Sequence, residues 1–552
     1  MAFNLKSEAK RFCGRCDGSR RGLLWLLAGS FFFFGPWACG RQAKPRNFLL
    51  ITLDTQRADY ISAYNPGNAS TPHIDLLARE GLLFRNAYSL IPITLPSHAS
   101  LFFSEEPHRI KNYNNGQEIG EKRSRPSFVN LFRQKGFATA AFVSLGVLGS
   151  EYGLDQGFEV YEDSFPEDRW YLSADEVNAR VFPWLEDNKN RPFFLWVHYS
   201  DPHDPYAPPY VPLDLKIYLN DRLIAEKCIQ RYALNEVTLD LRPGKNELRM
   251  EFRNEFDSHP DHFHGRFDLL EFEPTPDGKA LMTDFIGGFF IRGSDHVFFI
   301  KHKSLILLQN NAGPRPVKLR LRGKPLLTRE SARTAYQREV EFMDAEVGKL
   351  WEKLKELGLF DDTAILIVGD HGEGLGEFHN IFGDPHFGHI HYLYDMYLRV
   401  PLLIRSPSIR EKGVVREEYV SLLDVAPTVA NLMGLKPLPH FRGKDLARTQ
   451  RAGRTTIFEE TYRPEAFEDK FGLLSFPWHL VLTPQKNRYE LYDLDADPEE
   501  KDNLVKEAAW PTAVLPLKQN LEEFAREVLR GKEAVQIDDK TKEMLRALGY
   551  IR

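Results

Sequence analysis

Two seven-residue runs, Asn47–Leu53 (NFLLITL) and Thr363–Gly369 (TAILIVG), lie in distant parts of the chain, and each ends against an aspartate, Asp54 and Asp370. Continuous apolar runs of this length, rich in branched residues, are strands buried on both faces, as in parallel sheets. A third run, Phe193–Val197 (FFLWV), ends at His198. Open α/β sheets bind ligands beyond the carboxyl ends of their strands. Three strands therefore carry polar, metal-capable residues toward one edge. Helices fit between them. Ser173 and Glu176 form a capping box that opens a helix to about Glu186. From Ser331 to Leu357, Val340, Met343, Val347, Leu350, Trp351 and Leu354 recur at helical spacing. The alternation predicts an α/β fold with a doubly wound core.

A chain of 552 residues exceeds one ordinary core and implies two or three units. Residues 213–325 break the α/β rhythm. Ile217 and Leu219, then Val237, Leu239 and Leu241, then Leu248, Met250 and Phe252 alternate with polar residues. Asn220-Asp221 and Pro243-Gly244 supply turns. Period-two patterning with such punctuation predicts an inserted antiparallel, β-sandwich-like domain. The core is thus expected over 46–212 and 326–435, with a smaller α+β subdomain and tail over 436–552. There, Val420–Leu432 reads as a helix ended by Gly434, and Tyr489–Leu494 as a strand.

The amino terminus reads as an address. Lys6, Lys10, Arg11, Arg15, Arg20 and Arg21 precede the apolar run Gly22–Phe34. That run is shorter than the ~20 residues of a membrane span, so residues 1–39 read as an export signal. Cys39, preceded by Ala38, resembles a lipoprotein cleavage site and would carry lipid, although Pro36 departs from that pattern. An exported protein of the cell envelope, periplasmic or lipid-anchored, is expected. Cys13 and Cys16 precede the apolar run, which leaves Cys228 as the cysteine of the folded region and excludes a disulfide framework. The formal net charge is -6, without a basic footprint for nucleic acid.

The chemistry gathers at the strand ends. Asp54, Asp370 and His371 offer two carboxylates and an imidazole, a donor set for a divalent cation. Thr94 opens the segment Thr94–Phe103, read as a helix. A hydroxyl there meets unpaired backbone N–H groups and the positive dipole end, a place for a phosphate or sulfate. His259, His262 and His264 read instead as a solvated loop tip of the insertion.

Several ordered motifs carry a family resemblance. LDTQRAD (53–59), TPHID (71–75), GLLFRNAY (81–88), TLPSHAS (94–100), PFFLWVHYSDPHDPY (192–206), DHGEGLGE (370–377), YLYDMYLRVPLLI (392–404) and ELYDLDADPEEKDNL (490–504) together resemble bacterial sulfatases of the alkaline-phosphatase-like superfamily. The resemblance implies an ester hydrolase with Asp54, Asp370, His371 and Thr94 around a metal ion. It implies Thr94 as nucleophile and His203 as the histidine assisting the leaving group or binding the anion. His389 or His391 falls near the family's anion-contacting basic residue. Asp201, His203 and His389 are also candidates for a second metal.

Three departures shape the expectation. The family's usual nucleophile is a Cys or Ser converted to formylglycine, and Thr94 cannot be so converted. His98 stands where the family has arginine, and Thr55 where it has a second aspartate. Fewer carboxylates and a nitrogen ligand favour Zn²⁺ or Mn²⁺, with Ca²⁺ as the alternative. A threonine nucleophile resembles the phosphodiesterase and phosphoglycerol- or phosphoethanolamine-transferase branches. It favours phosphoryl chemistry on a small-molecule, glycan- or lipid-derived phosphate or sulfate ester. The rivals are a sulfuric ester hydrolase without formylglycine and a catalytically degenerate surface protein that binds glycan.

Overall fold

Alternate residues of Asn47–Leu53 feed two different cores, as a strand covered on both faces requires. Phe48 and Leu50 pack in one with Phe194, Trp196 and Leu366. Leu49, Ile51 and Leu53 pack in the other with Leu195, Val197, Ile365 and Ile367. The computed structural model describes residues 44–119, 125–166, 169–203, 206, 213–229, 235–253, 263–272, 282–290, 298–325, 329–379, 385–447, 453–462, 468–506, 510–532 and 538–547. The amino-terminal address with Cys13, Cys16 and Cys39, together with His259, His262 and the side chain of His264, lies outside the described residues.

The central sheet has nine strands among the described residues. Thr363–Gly369, Asn47–Leu53, Phe193–Tyr199, Ala138–Phe142 and Val160–Glu162 run parallel in that order. Beyond Thr363–Gly369 the sheet turns mixed: Leu402–Arg405 pairs antiparallel with it and then with Leu82–Tyr88. The register sets Leu53 beside both Gly369 and Tyr199. Asp54 and Asp370 therefore emerge at the same level, tied by Asp54 N–H to Tyr199 O (2.9 Å) and Asp370 N–H to Leu53 O (3.3 Å). The third strand runs two residues past Val197, so His198 belongs to the sheet.

The helix Ala174–Asn188 begins on the Ser173/Glu176 capping box. The helix Arg329–Glu356 buries the expected apolar stripe, Val340 through Leu354. One expectation needs correction. Val420 lies in the strand Val414–Ser421, and the helix starts only at Val425. Ser421 and Asp424 form a capping box around a 3-10 turn, and that local cap overrides the apolar pattern.

Strands between Leu213 and Pro325 form an eight-stranded sheet among the described residues, antiparallel throughout its pairings. Leu215, Ile217, Leu239, Met250, Ile306 and Leu319 share a buried core distinct from the two flanking the central sheet. Ile457–Thr461, Lys470–Ser475, Trp478–Thr483 and Arg488–Asp493 make a four-stranded antiparallel sheet. Phe471 and Leu480 of that sheet share a buried core with Leu521 and Ala525 of the helix Leu515–Gly531. Among the described residues, no helix is long and apolar enough to cross a membrane.

Candidate active site

The turn after Asn47–Leu53 builds the first wall. Thr55 adopts φ 53°, a left-handed conformation costly for a β-branched residue. The strain has a return: Thr55 N–H donates to Asp370 Oδ1 at 3.1 Å, and its hydroxyl donates to the Asp54 carbonyl at 2.7 Å. Tyr336 OH braces the same turn, donating to Thr55 O (2.7 Å) and accepting from Arg57 N–H (2.9 Å). Asp370 Oδ1 also accepts the His371 N–H at 2.7 Å. After His371, Gly372 donates to Tyr397 O at 2.7 Å, and a Cβ there would collide with the Met396 carbonyl.

Asp54, Asp370 and His371 are fully buried and offer ligand atoms within 4.8 Å of one another. Neither Asp54 oxygen, nor Asp370 Oδ2, has a hydrogen-bond partner among the described residues. Burial, then the facing Asp54 carboxylate, pushes the Asp370 carboxyl well above the usual range. Burial, with His389 adding to it, pushes the His371 imidazole down to about 3. Two unsatisfied carboxylates beside a neutral imidazole fit a divalent cation, which would satisfy the bare oxygens and offset their repulsion.

Thr94 Oγ1 lies 3.3 Å from His371 Nε2, at the start of the helix Thr94–Phe103. The hydroxyl thus faces the cluster. The expectation of free N–H groups at this helix end is corrected by the structure. Leu95 N–H donates to Asn115 Oδ1 (2.8 Å), Ser97 N–H to Ile93 O (3.0 Å), and Pro96 has none. An anion here depends on side chains more than on the first helical turn.

The remaining candidates separate. His389 Nδ1 is 3.1 Å from Glu373 Oε2, and its ring lies 4.4 Å from that of His371. The His203 ring is 5.1 Å from that of His389 and is buried. His203, His389 and His371 follow one another by ring contacts, and His371 reaches Thr94. His98 does not join them. Its Nδ1–H donates to Thr94 O (2.8 Å) and its Nε2 accepts from Thr52 Oγ1 (3.0 Å), so both nitrogens are committed within the core. Burial, then His198, pushes it to about 3, and the position the family gives to arginine carries a neutral ring. His391 packs against His386 instead, with ring centroids 5.4 Å apart. Asp201 Oδ1 accepts Ala174 N–H at 3.1 Å at the start of its helix. Among the described residues, Asp201, His203 and His389 form no second three-ligand group.

Arg57 fastens the site to its surroundings. It makes a paired contact with Asp59 (2.9 and 2.9 Å) and reaches Glu377 at 2.8 Å. Burial works against these charges, but Arg57 overrides it and holds the Glu377 carboxyl down to about 2.

A family profile described as Sulfatase matches residues 46–435. The chain belongs to the sulfatase family. It is an ester hydrolase of that family, and a second profile, N-sulphoglucosamine sulphohydrolase C-terminal, matches residues 377–527. The chain is 23% identical over 530 residues to an N-acetylglucosamine-6-O-sulfatase of Bacteroides thetaiotaomicron, covering 88% of this chain and 87% of that one. It is 23% identical over 516 residues to a choline-sulfatase of Rhizobium meliloti, covering 85% and 84%. A phosphonate monoester hydrolase of Agrobacterium radiobacter shares the fold with a TM-score of 0.56 and 18% identity, covering 89% of this chain and 96% of that one. A structure solved in complex with its substrate D-glucosamine-2-N,6-O-disulfate does so with a TM-score of 0.55 and 17% identity, covering 90% and 100%.

The sequence marks Glu373 and Glu377 as braces of the loop after His371 and His198 as a polar residue at a strand end, but it gives no sign of Asn115, which takes the Leu95 N–H. Asn115 reaches the site from a turn, where no periodicity marks it.

Proposed function

We propose that this sulfatase-family enzyme is a divalent-cation-dependent hydrolase of phosphate or sulfate esters, with Thr94 as nucleophile and a preference for phosphoryl centres. The observation that carries the reading is Thr94 Oγ1 at 3.3 Å from Nε2 of His371, one member of the Asp54–Asp370–His371 cluster. A cation held by these three residues, Zn²⁺ or Mn²⁺ on the nitrogen-containing donor set, would supply Lewis-acid charge at the hydroxyl and the bound anion. The protein residues do the rest. Thr94 Oγ gives its proton to solvent water and forms a bond to the central atom as the ester's leaving oxygen departs in line. His203 donates a proton to that oxygen, and His389, oriented by Glu373, contacts the anion. Water then attacks the central atom of the threonyl ester and returns a proton to His203, and Thr94 Oγ departs and regains its proton from solvent. A threonyl ester lacks the second hydroxyl of a hydrated aldehyde and cannot expel its group by elimination. Release depends on attack at the central atom, which favours phosphorus.

A second reading, a sulfuric ester hydrolase working with an unmodified hydroxyl, is favoured by the sulfatases among its relatives. Parallel assays with a phosphodiester, a phosphomonoester and a sulfate ester separate the two. Faster phosphate-ester turnover is expected; turnover of the sulfate ester alone overturns the phosphoryl preference. The substrate is a small-molecule or glycan ester. The basic stretch and apolar run at the amino terminus support export to the cell envelope, with Cys39 as the lipid site; fractionation of a Cys39→Ala variant into the soluble envelope fraction is the expected result.

A further inference from the structure

Asp370 is held by two backbone N–H groups, but the carboxylate of Asp54 has no such support. Besides Asp370 and His371, His198 faces it, fully buried in the Phe193–Tyr199 strand beside Thr52. His198 Nε2 stands 3.3 Å from Asp54 Oδ2, off the line of a full hydrogen bond. On the other side of the ring, Ser144 N–H donates to Nδ1 at 3.3 Å, and Ser144 Oγ lies 2.7 Å from the same nitrogen. Ser144 Oγ in turn donates to Ser200 Oγ at 2.8 Å, so the donor from Ser144 to Nδ1 is its backbone N–H.

The two nitrogens can be told apart by what they face. A backbone N–H only donates, so Nδ1 is the acceptor nitrogen. With Nδ1 accepting, the proton of the neutral ring sits on Nε2, the nitrogen that faces Asp54 Oδ2. A neutral donor also suits the place. An arginine or lysine against Asp54 would compete with a cation for its charge, whereas a neutral imidazole orients the carboxylate and leaves the charge intact.

Resting on the metal-dependent reading above, we propose that His198 is a positioning residue: fixed by Ser144 as the Nε2–H tautomer, it engages one oxygen of Asp54 and leaves the other for a divalent cation. Histidine at this position thereby acts through Asp54 and never touches the substrate. The effect is carried by metal affinity, because loss of a group that orients a ligand weakens binding by about 10- to 100-fold.

The test is calorimetric titration of the full chain with Mn²⁺, in wild type, His198→Leu and His198→Gln, with ¹⁵N spectra of the wild-type imidazoles. His198→Leu fills the space without a donor and is expected to weaken Mn²⁺ binding by about 10- to 100-fold. His198→Gln restores an N–H near Nε2 and is expected to bind close to wild type. The wild-type spectrum, which requires no variant to fold, is expected to place the His198 proton on Nε2. Wild-type affinity in His198→Leu, or a proton on Nδ1, overturns the role of His198 while leaving the metal site standing. Failure of the wild type itself to take up Mn²⁺ overturns the metal-dependent reading and this inference with it.

Discussion

At the scale of single residues, the site depends on few atoms. Thr94→Ala removes the hydroxyl that faces the cluster, and turnover is expected to fall at least about a thousandfold with the fold intact, read by steady-state kinetics beside circular dichroism. Loss of less than tenfold would place the nucleophile elsewhere. Arg57 bears on stability. Arg57→Met leaves Asp59 and Glu377 without their cation and is expected to cost about 3 kcal/mol, measured by urea denaturation. The pH dependence has a defined sign. The folded-state pKa of Glu377, about 2, lies below its ordinary 4.5. Its contribution is therefore present above about pH 4.5 and is lost as pH falls toward 2, amounting to about 3 kcal/mol. Glu377→Gln should flatten that part of the stability profile.

At the scale of elements, the parallel strands and their turns do most of the positioning. The end of Asn47–Leu53 supplies Asp54, the end of Thr363–Gly369 supplies both Asp370 and His371, and the Thr55 turn links the two ends through Asp370 Oδ1. The carboxy-terminal sheet holds a different buried group. His479 lies between Glu459 (2.9 Å) and Glu500 (2.5 Å), and Glu500 also accepts Asp395 N–H at 2.5 Å. Burial lowers the His479 pKa, but the two carboxylates outweigh it and hold the ring protonated well above its ordinary range. A raised folded-state pKa gives stability that is complete below about pH 6.5 and is lost as pH rises through the elevated value. Thermal midpoints measured from pH 7 to 10 should therefore fall, and His479→Gln should remove most of that slope. An unchanged slope in the variant would mean that the alkaline loss arises in other groups.

At the scale of the whole molecule, the central sheet and the inserted antiparallel sheet have separate buried cores. We propose that residues 213–325 are an autonomous insertion. Replacing them by a short Gly/Ser linker is expected to preserve Mn²⁺ uptake, because Asp54, Asp370 and His371 all lie outside that stretch. Loss of uptake in a folded deletion variant would show that the insertion supports the site. Metal binding to the folded state alone should also raise stability, by about 2.7 kcal/mol at a hundredfold excess over Kd. A chelator should reverse the gain in a melting experiment.

The strands Asn47–Leu53 and Thr363–Gly369, the capping box at Ser173 and the approach of Asp54 to Asp370 were legible because apolar runs and cap residues are local patterns with few structural solutions. The strand at Val420 was not legible, because its pairing with Leu82–Tyr88 joins distant segments and leaves no trace in local periodicity. The same limit applies to the site. Sequence determined which residue types stand at the strand ends. Only the tertiary structure decided that His98 turns into the core, that Asn115 occupies the Leu95 N–H, and that His198 faces Asp54. Those outcomes depend on angles and distances of a few ångströms between segments far apart in the chain, which are fixed by packing as a whole.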